Sequence, residues 1–345
     1  MIRYISTFPA GFEETAEAAL LSSLPGAEIF QRADGLLGYR YEGGERPETL
    51  PFFSNTFFVL KRFSGDALAF PKMAAQAKSC RFSALGKRTG TFRVRYSKEN
   101  QFTSVPKNVA AETERVIARA TGLAPDRSEP DHEFWFVIRR EGTGFFGFLL
   151  RRPDPHIPEK GELRPELAHL ALRFAGMQQG SVFCDPFAGH GALPRAALES
   201  FSPEQAYISD TDPALVKKLA VDFALLSKKL AGGAVQNKSI SISNADARKL
   251  RTIRDGAVDY LVTDPPWGLF EENADISALY RDFLLEAARI LKPGGMLCVM
   301  TAKKEEFAAV LDENGIFSLQ KQADILVNGK KARIFAARRK EENHG

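Results

Sequence analysis

Residues 258 to 268, Val-Asp-Tyr-Leu-Val-Thr-Asp-Pro-Pro-Trp-Gly, join an apolar run to an acid, two prolines and an aromatic ring. The run Val258 to Val262 predicts a buried parallel strand. At its end the Asp264 carboxylate and the Pro265 carbonyl can both accept hydrogen bonds from one amino group. Pro265 and Pro266 fix the backbone, and Trp267 offers a stacking face. Together these are the parts of a pocket for the exocyclic amine of a base. Alone, the run also fits a plain turn leaving a strand, so its meaning rests on what surrounds it.

Three more acids close strand-like runs in the same half of the chain. They are Asp185 after Ser181, Asp210 after Gln205, and Asp246 after the run Ile240 to Ala245. In an open parallel sheet the carboxyl ends of strands line one crevice, so four carboxylates are expected there. Between the first acid and a helix from about Ala192 lies Pro186-Phe187-Ala188-Gly189-His190-Gly191, whose glycines let backbone approach a ligand closely. Pro194 stands where a dinucleotide fingerprint needs its third glycine. An acid ahead of the loop would repel pyrophosphate but suits a ligand carrying an amino group and positive charge. This favours S-adenosylmethionine over a nicotinamide dinucleotide. His190 in the loop is read as making local hydrogen bonds rather than acting as a base.

The elements that must position these groups alternate strand and helix from about residue 165 onward, the pattern of a doubly wound α/β domain. Helices are predicted from Pro165 to Gly176, Pro213 to about Leu230, Ala278 to Leu291 and Lys303 to Glu313. A strand Met296 to Met300 follows Lys292-Pro-Gly-Gly. The runs Ser318 to Val327 and Ala332 to Arg338 flank Asn328-Gly329, a hairpin signal. The last residues, Arg338 to Gly345, read as a frayed tail. Ahead of this half, Arg151 to Pro158 with its three prolines reads as a stiff linker.

At 345 residues, with 44% hydrophobic and 26% charged composition, the chain has the make-up of a multidomain soluble protein. No apolar run suggests a membrane span or signal peptide, and a cytosolic location is expected. Cys80, Cys184 and Cys298 are too far apart for a zinc or disulfide framework and read as core thiols, so no metal is expected. Charge is uneven. Residues 61 to 152 carry 18 Lys and Arg against 9 Asp and Glu, whereas the first 60 carry 4 against 8. Such asymmetry favours a polyanion at the middle third. There Thr91 to Tyr96 alternates strictly, with Phe92, Val94 and Tyr96 on one face and Arg93 and Arg95 on the other. Arg93 and Arg95 on an exposed face, with Lys98 and Lys107 nearby, are candidate phosphate contacts that say nothing about base sequence. A helix from Lys107 to Thr121 closes at Gly122. The first 60 residues read as a small α/β unit without catalytic residues, and Phe52, Phe53, Phe57 and Phe58 read mostly as core.

The series Asp185-Pro-Phe-Ala-Gly-His-Gly, Asp210-Thr-Asp-Pro, Asn244-Ala-Asp-Ala and Asp264-Pro-Pro-Trp-Gly resembles that of class I S-adenosylmethionine-dependent methyltransferases, in the branch acting on exocyclic amines. Thr7 to Ala16, Phe92-Arg-Val-Arg, Phe102-Thr-Ser and the Phe134 to Arg139 strand are similar to THUMP-domain tRNA guanine-N2-methyltransferases, as is Gly161 to Glu166. The stretch from Ile117 to Glu133 departs from that pattern, and Trp267 replaces a usual Tyr or Phe. The resemblance implies a ferredoxin-like unit (1–60), a THUMP-like RNA-binding domain (61–152), a linker (153–164) and a Rossmann-like methyltransferase domain with a C-terminal β-hairpin (165–345). It implies Asp185 facing the methionine amino group and the Phe187 to Gly191 loop wrapping the amino acid part. Asp210 would take the ribose hydroxyls, with Asp212 as rival, and Asp246 would take the adenine amine with Ala247 beside it. Asp264, Pro265, Pro266 and Trp267 would hold the target guanine, in tRNA and in a monomeric enzyme. Guanosine in ribosomal RNA and an adenine amine are the rival targets. The rival outside enzymes is an RNA-binding protein that keeps the fold as a scaffold.

Overall fold

The computed structural model describes the chain except for residues 1, 151–157, 160, 232–238, 268–274, 328 and 342–345. The proline-rich start of the linker, Gly268, Asn328 of the hairpin turn and the end of the tail therefore lie outside the described residues. The chain divides into two compact units, one of Met1–Thr7 with Leu20–Asp154, the other of Phe8–Ala19 with Pro155–Gly345.

In the first unit, strands β1 (Arg3–Thr7), β2 (Glu28–Ala33), β3 (Leu36–Arg40) and β4 (Asn55–Ser64) precede β5 (Thr91–Lys98) and β6 (Gln101–Phe102). Then come β7 (Ala124–Pro125), β8 (His132–Ile138) and β9 (Thr143–Leu150). Helix α2 (Phe70–Ala75) follows β4 and α3 (Lys107–Thr121) follows β6, whereas α1 (Glu13–Ser23), which follows β1, begins in the segment that belongs to the second unit. The strands form one sheet in the order β2-β3-β1-β4-β9-β8-β5-β6, with β7 paired to β5. Strand β4 runs straight through residue 60, where the sequence suggested a boundary, and pairs with β1 on one side and β9 on the other. Helix α3 ends as predicted, Gly122 adopting φ 77° and donating its N–H to the Ala118 carbonyl. One sheet face packs Phe92, Phe134, Phe136, Phe146 and Phe148 with Met73 and Ile117 from the helices. Phe52, Phe53 and Phe57 are core residues, as expected.

The second unit holds β10 (Val182–Asp185), β11 (Gln205–Asp210), β12 (Ser239–Asn244), β13 (Val258–Thr263), β14 (Leu291–Thr301), β15 (Phe317–Val327) and β16 (Lys330–Arg339). Their order is β12-β11-β10-β13-β14-β16-β15. The first five are parallel, and the C-terminal hairpin adds β16 and β15 antiparallel. Helix α4 (Pro165–Phe174) precedes β10, and between the strands run α5 (Ala192–Ser200), α6 (Pro213–Ala231), α7 (Ile276–Ile290) and α8 (Lys304–Asn314).

Two predicted ends move. Strand β14 starts at Leu291 rather than Met296, because Leu291 pairs with Val258 before the register shifts and resumes at Met296 opposite Tyr260. Gly295 is required in that bulge: a Cβ there would lie 2.9 Å from the Lys292 carbonyl oxygen. Arg338 and Arg339 belong to β16, not to a tail, since Arg338 pairs with Met296 and Arg339 with Phe317. The segment Phe8–Ala19 packs within this unit, with the Phe12 ring edge-on to Phe174 at 5.8 Å. Gly11, at φ 92°, passes so close to β15 that a Cβ would stand 2.2 Å from the Asp324 carbonyl oxygen. Among the described residues no helix is long and apolar enough to cross a membrane.

Candidate active site

Parallel strands β10, β11, β12 and β13 deliver their carboxyl ends to one edge of the sheet, and the candidate acids stand there because each strand's apolar run stops at them. Asp185, 1% exposed, closes β10. Its Oδ1 accepts the Thr263 hydroxyl at 2.7 Å and the Phe187 N–H at 3.2 Å, and no described contact engages its other oxygen. Thr263 is the last residue of β13, so this bond ties the first acid to the residue just before Asp264. Burial raises the Asp185 carboxyl to about 7; the two hydrogen bonds oppose the rise, and the charges of Asp210 and Asp264 add to it. Strand β10 lies between β11 and β13 in the sheet, so the end bearing Asp185 is flanked by the ends bearing Asp210 and Asp264.

Asp264 keeps part of its surface open. Its carboxyl is nonetheless pushed up to about 7 by burial, with the Trp267 hydrogen bond opposing. The Trp267 indole N–H donates to Asp264 Oδ1 at 3.0 Å. Trp267 thus orients the acid as well as offering a half-buried ring. Pro265 is buried and Pro266 exposed. Behind the prolines, Tyr280 of α7 is fully buried and its hydroxyl lies 2.8 Å from Thr301 Oγ1 and 3.4 Å from the Pro266 carbonyl, to which it donates. Burial raises the Tyr280 hydroxyl to about 12, which keeps it a donor.

The glycine loop is shaped by Asp210. Its Oδ2 accepts the Gly189 N–H at 2.8 Å and its Oδ1 the Asp212 N–H at 2.9 Å. Asp212, the rival for the ribose, instead accepts the Ala214 N–H at 2.8 Å in the first turn of α6. Gly189 has φ 52° with nothing within 4 Å of a notional Cβ. Gly191, at φ 87°, would place a Cβ 2.6 Å from Leu219 and 2.8 Å from Phe223. Phe187 packs edge-on to Phe283 at 5.3 Å. His190 Nδ1 lies 3.4 Å from Glu159, which also pairs with Lys218, but that buried ring nitrogen makes no hydrogen bond among the described residues, so the expected local hydrogen bond is not seen there.

Other candidates stand differently. The Asp246 carboxylate is held by Arg248, through contacts of 3.0 and 2.7 Å, and that guanidinium keeps its pKa below the usual value. An adenine amine would compete with Arg248 there. Ala247 is buried in the core cluster with Cys184 and Leu250, so only its backbone can face a ligand. Cys184 and Cys298 are buried, as read from sequence, whereas Cys80 is only half-buried at the edge of a core cluster.

In the first unit, Arg93 and Arg95 do share a face, but they are not the free exposed pair predicted. Glu133, directly alongside on β8, takes Arg93 at 2.7 Å on one oxygen and Arg95 at 3.0 Å on the other. Parallel pairing of β5 with β8 sets Arg93 opposite Glu133, forty residues away in sequence. Lys98 and Lys107 are exposed.

The sequence reading missed Thr263, Tyr280 and Thr301. Thr263 had a usable signal, its place beside Asp264 at a strand end. Tyr280 had only its position on the apolar side of a helix.

The UPF0020 family, described as an RMKL-like methyltransferase domain, matches residues 152–332, more than half of the chain. The chain belongs to that family. This UPF0020 chain is 30% identical over 221 residues to a tRNA (guanine(6)-N2)-methyltransferase of Thermus thermophilus, covering 62% of this chain and 63% of the relative. It is 26% identical over 243 residues to a tRNA (guanine(10)-N2)-dimethyltransferase of Methanothermobacter thermautotrophicus, covering 64% and 65%. The matches thus span just under two thirds of those relatives. In fold it is similar to the crystal structure of TrmN from Thermus thermophilus, with TM-score 0.78 and 24% identity, covering 98% of this chain and 100% of that one.

Proposed function

We propose that this chain transfers the methyl group of S-adenosylmethionine to the exocyclic N2 amine of a guanosine in tRNA. The observation that carries the reading is the tie between Asp185 and Asp264 through Thr263, which sets a carboxyl with a disengaged oxygen beside an Asp-Pro-Pro-Trp turn. The residues fit the cofactor. Asp185 offers an oxygen to an ammonium group, Gly189 leaves open space, and Asp210 holds the loop in shape with lone pairs remaining for hydroxyls.

When bound, S-adenosylmethionine supplies an electrophilic methyl group on sulfonium. Asp264 and the Pro265 carbonyl accept the two N–H groups of the guanine amine and turn its lone pair toward that methyl. Methyl transfer would form the nitrogen–carbon bond as the carbon–sulfur bond breaks, and Asp264 or water would take the proton that the amine then sheds. Positioning and desolvation supply most of the acceleration, so no stronger base is needed. Since a paired guanine's N2 lies in the minor groove, the nucleotide must be flipped or already exposed. The first unit, read as ferredoxin-like and THUMP-like, would grip RNA elsewhere, and the enzyme would work as a monomer in the cytoplasm.

Incubating the chain with labelled cofactor and separated tRNA and ribosomal RNA, followed by nucleoside analysis, tests this. Labelled N2-methylguanosine from the tRNA alone is expected. Label in N6-methyladenosine or only in ribosomal RNA would overturn the choice of target, and no label in either would overturn the activity.

A further inference from the structure

The edge of the first unit's sheet carries a cluster that the phosphate reading does not explain. Phe102, on the outermost strand β6, is 59% exposed. A single exposed aromatic residue is ordinary on a protein surface and means nothing by itself. Its surroundings are not ordinary. The Arg95 guanidinium carbon lies 4.5 Å from the Phe102 ring centroid and 6.0 Å from that of Trp135. The Trp135 ring meets Phe102 edge-on at 5.1 Å.

Each part is held from beneath. Buried Glu133 takes both arginines and accepts the Trp135 indole N–H at 2.8 Å, fixing three side chains with one carboxylate. Burial raises the Glu133 carboxyl, but the hydrogen bonds from Arg93 and Trp135 and the charges of both arginines outweigh it, so it stays ionised. Arg93 Nε is buried with no hydrogen-bond partner. Lys98 stands exposed opposite Gln101 in the register, one position from Phe102.

A fixed guanidinium against an aromatic ring whose surface faces solvent is a platform for a flat, electron-rich ring. A base paired inside a duplex has both its faces stacked and cannot use such a platform; an unpaired base can. We propose that Phe102, Trp135 and Arg95 form a stacking site for an unpaired nucleobase of the RNA substrate. The site deepens the proposed function and rests on it for the identity of the RNA. It takes a loop, bulge or end nucleotide, with little discrimination among bases, since every base presents a π face.

The test uses the full chain with Trp267→Phe, which leaves Trp135 as the only tryptophan of the two in the sequence. Oligouridylate should quench the Trp135 emission with a saturable dissociation constant, and a blunt RNA duplex of equal length should not. Phe102→Leu should weaken oligouridylate binding about tenfold, and Phe102→Tyr should keep it within about twofold. The exposure of Phe102 makes both substitutions tolerable to the fold, which thermal denaturation checks. Equal affinity for Phe102→Leu and the parent, or equal quenching by the duplex, would overturn the site. Failure of the unaltered chain to methylate any RNA while oligouridylate binding persists would instead overturn the proposed activity and leave the stacking site standing.

Discussion

Asp185 and Asp264 are held at some cost, and the cost has a sign. An acid whose folded pKa lies above its unfolded value binds its proton more tightly when folded. The stability linked to that proton is full below the unfolded pKa and is lost as pH rises through the folded one. For Asp185 the window runs from the ordinary 3.8 to about 7. Asp185→Asn keeps an oxygen for Thr263 and never has to bury a charge. It should therefore be more stable than the parent at pH 8, by on the order of 4 kcal/mol, and the gap should close toward pH 4. Denaturant unfolding at the two pH values checks this; an Asn variant less stable at pH 8 would refute the burial argument. Ionised acids are also what the amine needs. Methyl transfer should rise with pH and level off above about 7, and Asp264→Asn should abolish it while cofactor affinity, measured by calorimetry, persists.

At the scale of elements, the site is a loop and a turn, each braced from one side. Both loop glycines have positive φ, so a Cβ at either is strained by about 1–2 kcal/mol. Only Gly191 also meets side chains, of Leu219 and Phe223, across a gap too small for a methyl group. Gly191→Ala should accordingly lower both the melting temperature and cofactor affinity more than Gly189→Ala, and equal effects would show that packing against α6 is irrelevant. The turn is braced by Tyr280. Tyr280→Phe should reduce kcat about tenfold with cofactor affinity unchanged, because the lost hydrogen bond reaches Pro266 and not the cofactor loop. A fall in affinity with kcat intact would show that Tyr280 steadies the fold alone.

These elements also mark what could be read from sequence. Parallel strands present their ends together, so Asp185, Asp210 and Asp264 were legible as neighbours from periodicity alone. The Arg248 partner of Asp246 was not, because a two-residue separation permits the pair without requiring it. The clamp of Glu133 on Arg93 and Arg95 depended on a parallel register between β5 and β8, which no local pattern encodes. The Tyr280 contact with Thr301 likewise spans 21 residues and needs the helix already docked.

At the scale of the molecule, the excess of Lys and Arg over residues 61 to 152 makes a prediction about salt. Counterion release should weaken tRNA binding at least about tenfold between about 50 and about 200 mM salt. Cofactor binding in the crescent of carboxylates should hardly change over that range. Filter binding beside calorimetry separates the two, and a salt-insensitive tRNA affinity would argue that the basic third does not touch phosphate.

The passage of residues 8 to 19 over the C-terminal hairpin has a practical meaning for anyone reshuffling this gene. The catalytic body is not one uninterrupted stretch of code: a fragment opening at Pro158 would strip the cover from Asp324 and leave the Phe174 ring without its neighbour. Transplanting the second unit onto a different N-terminal module would require carrying along those dozen early residues, stitched in by a new connection.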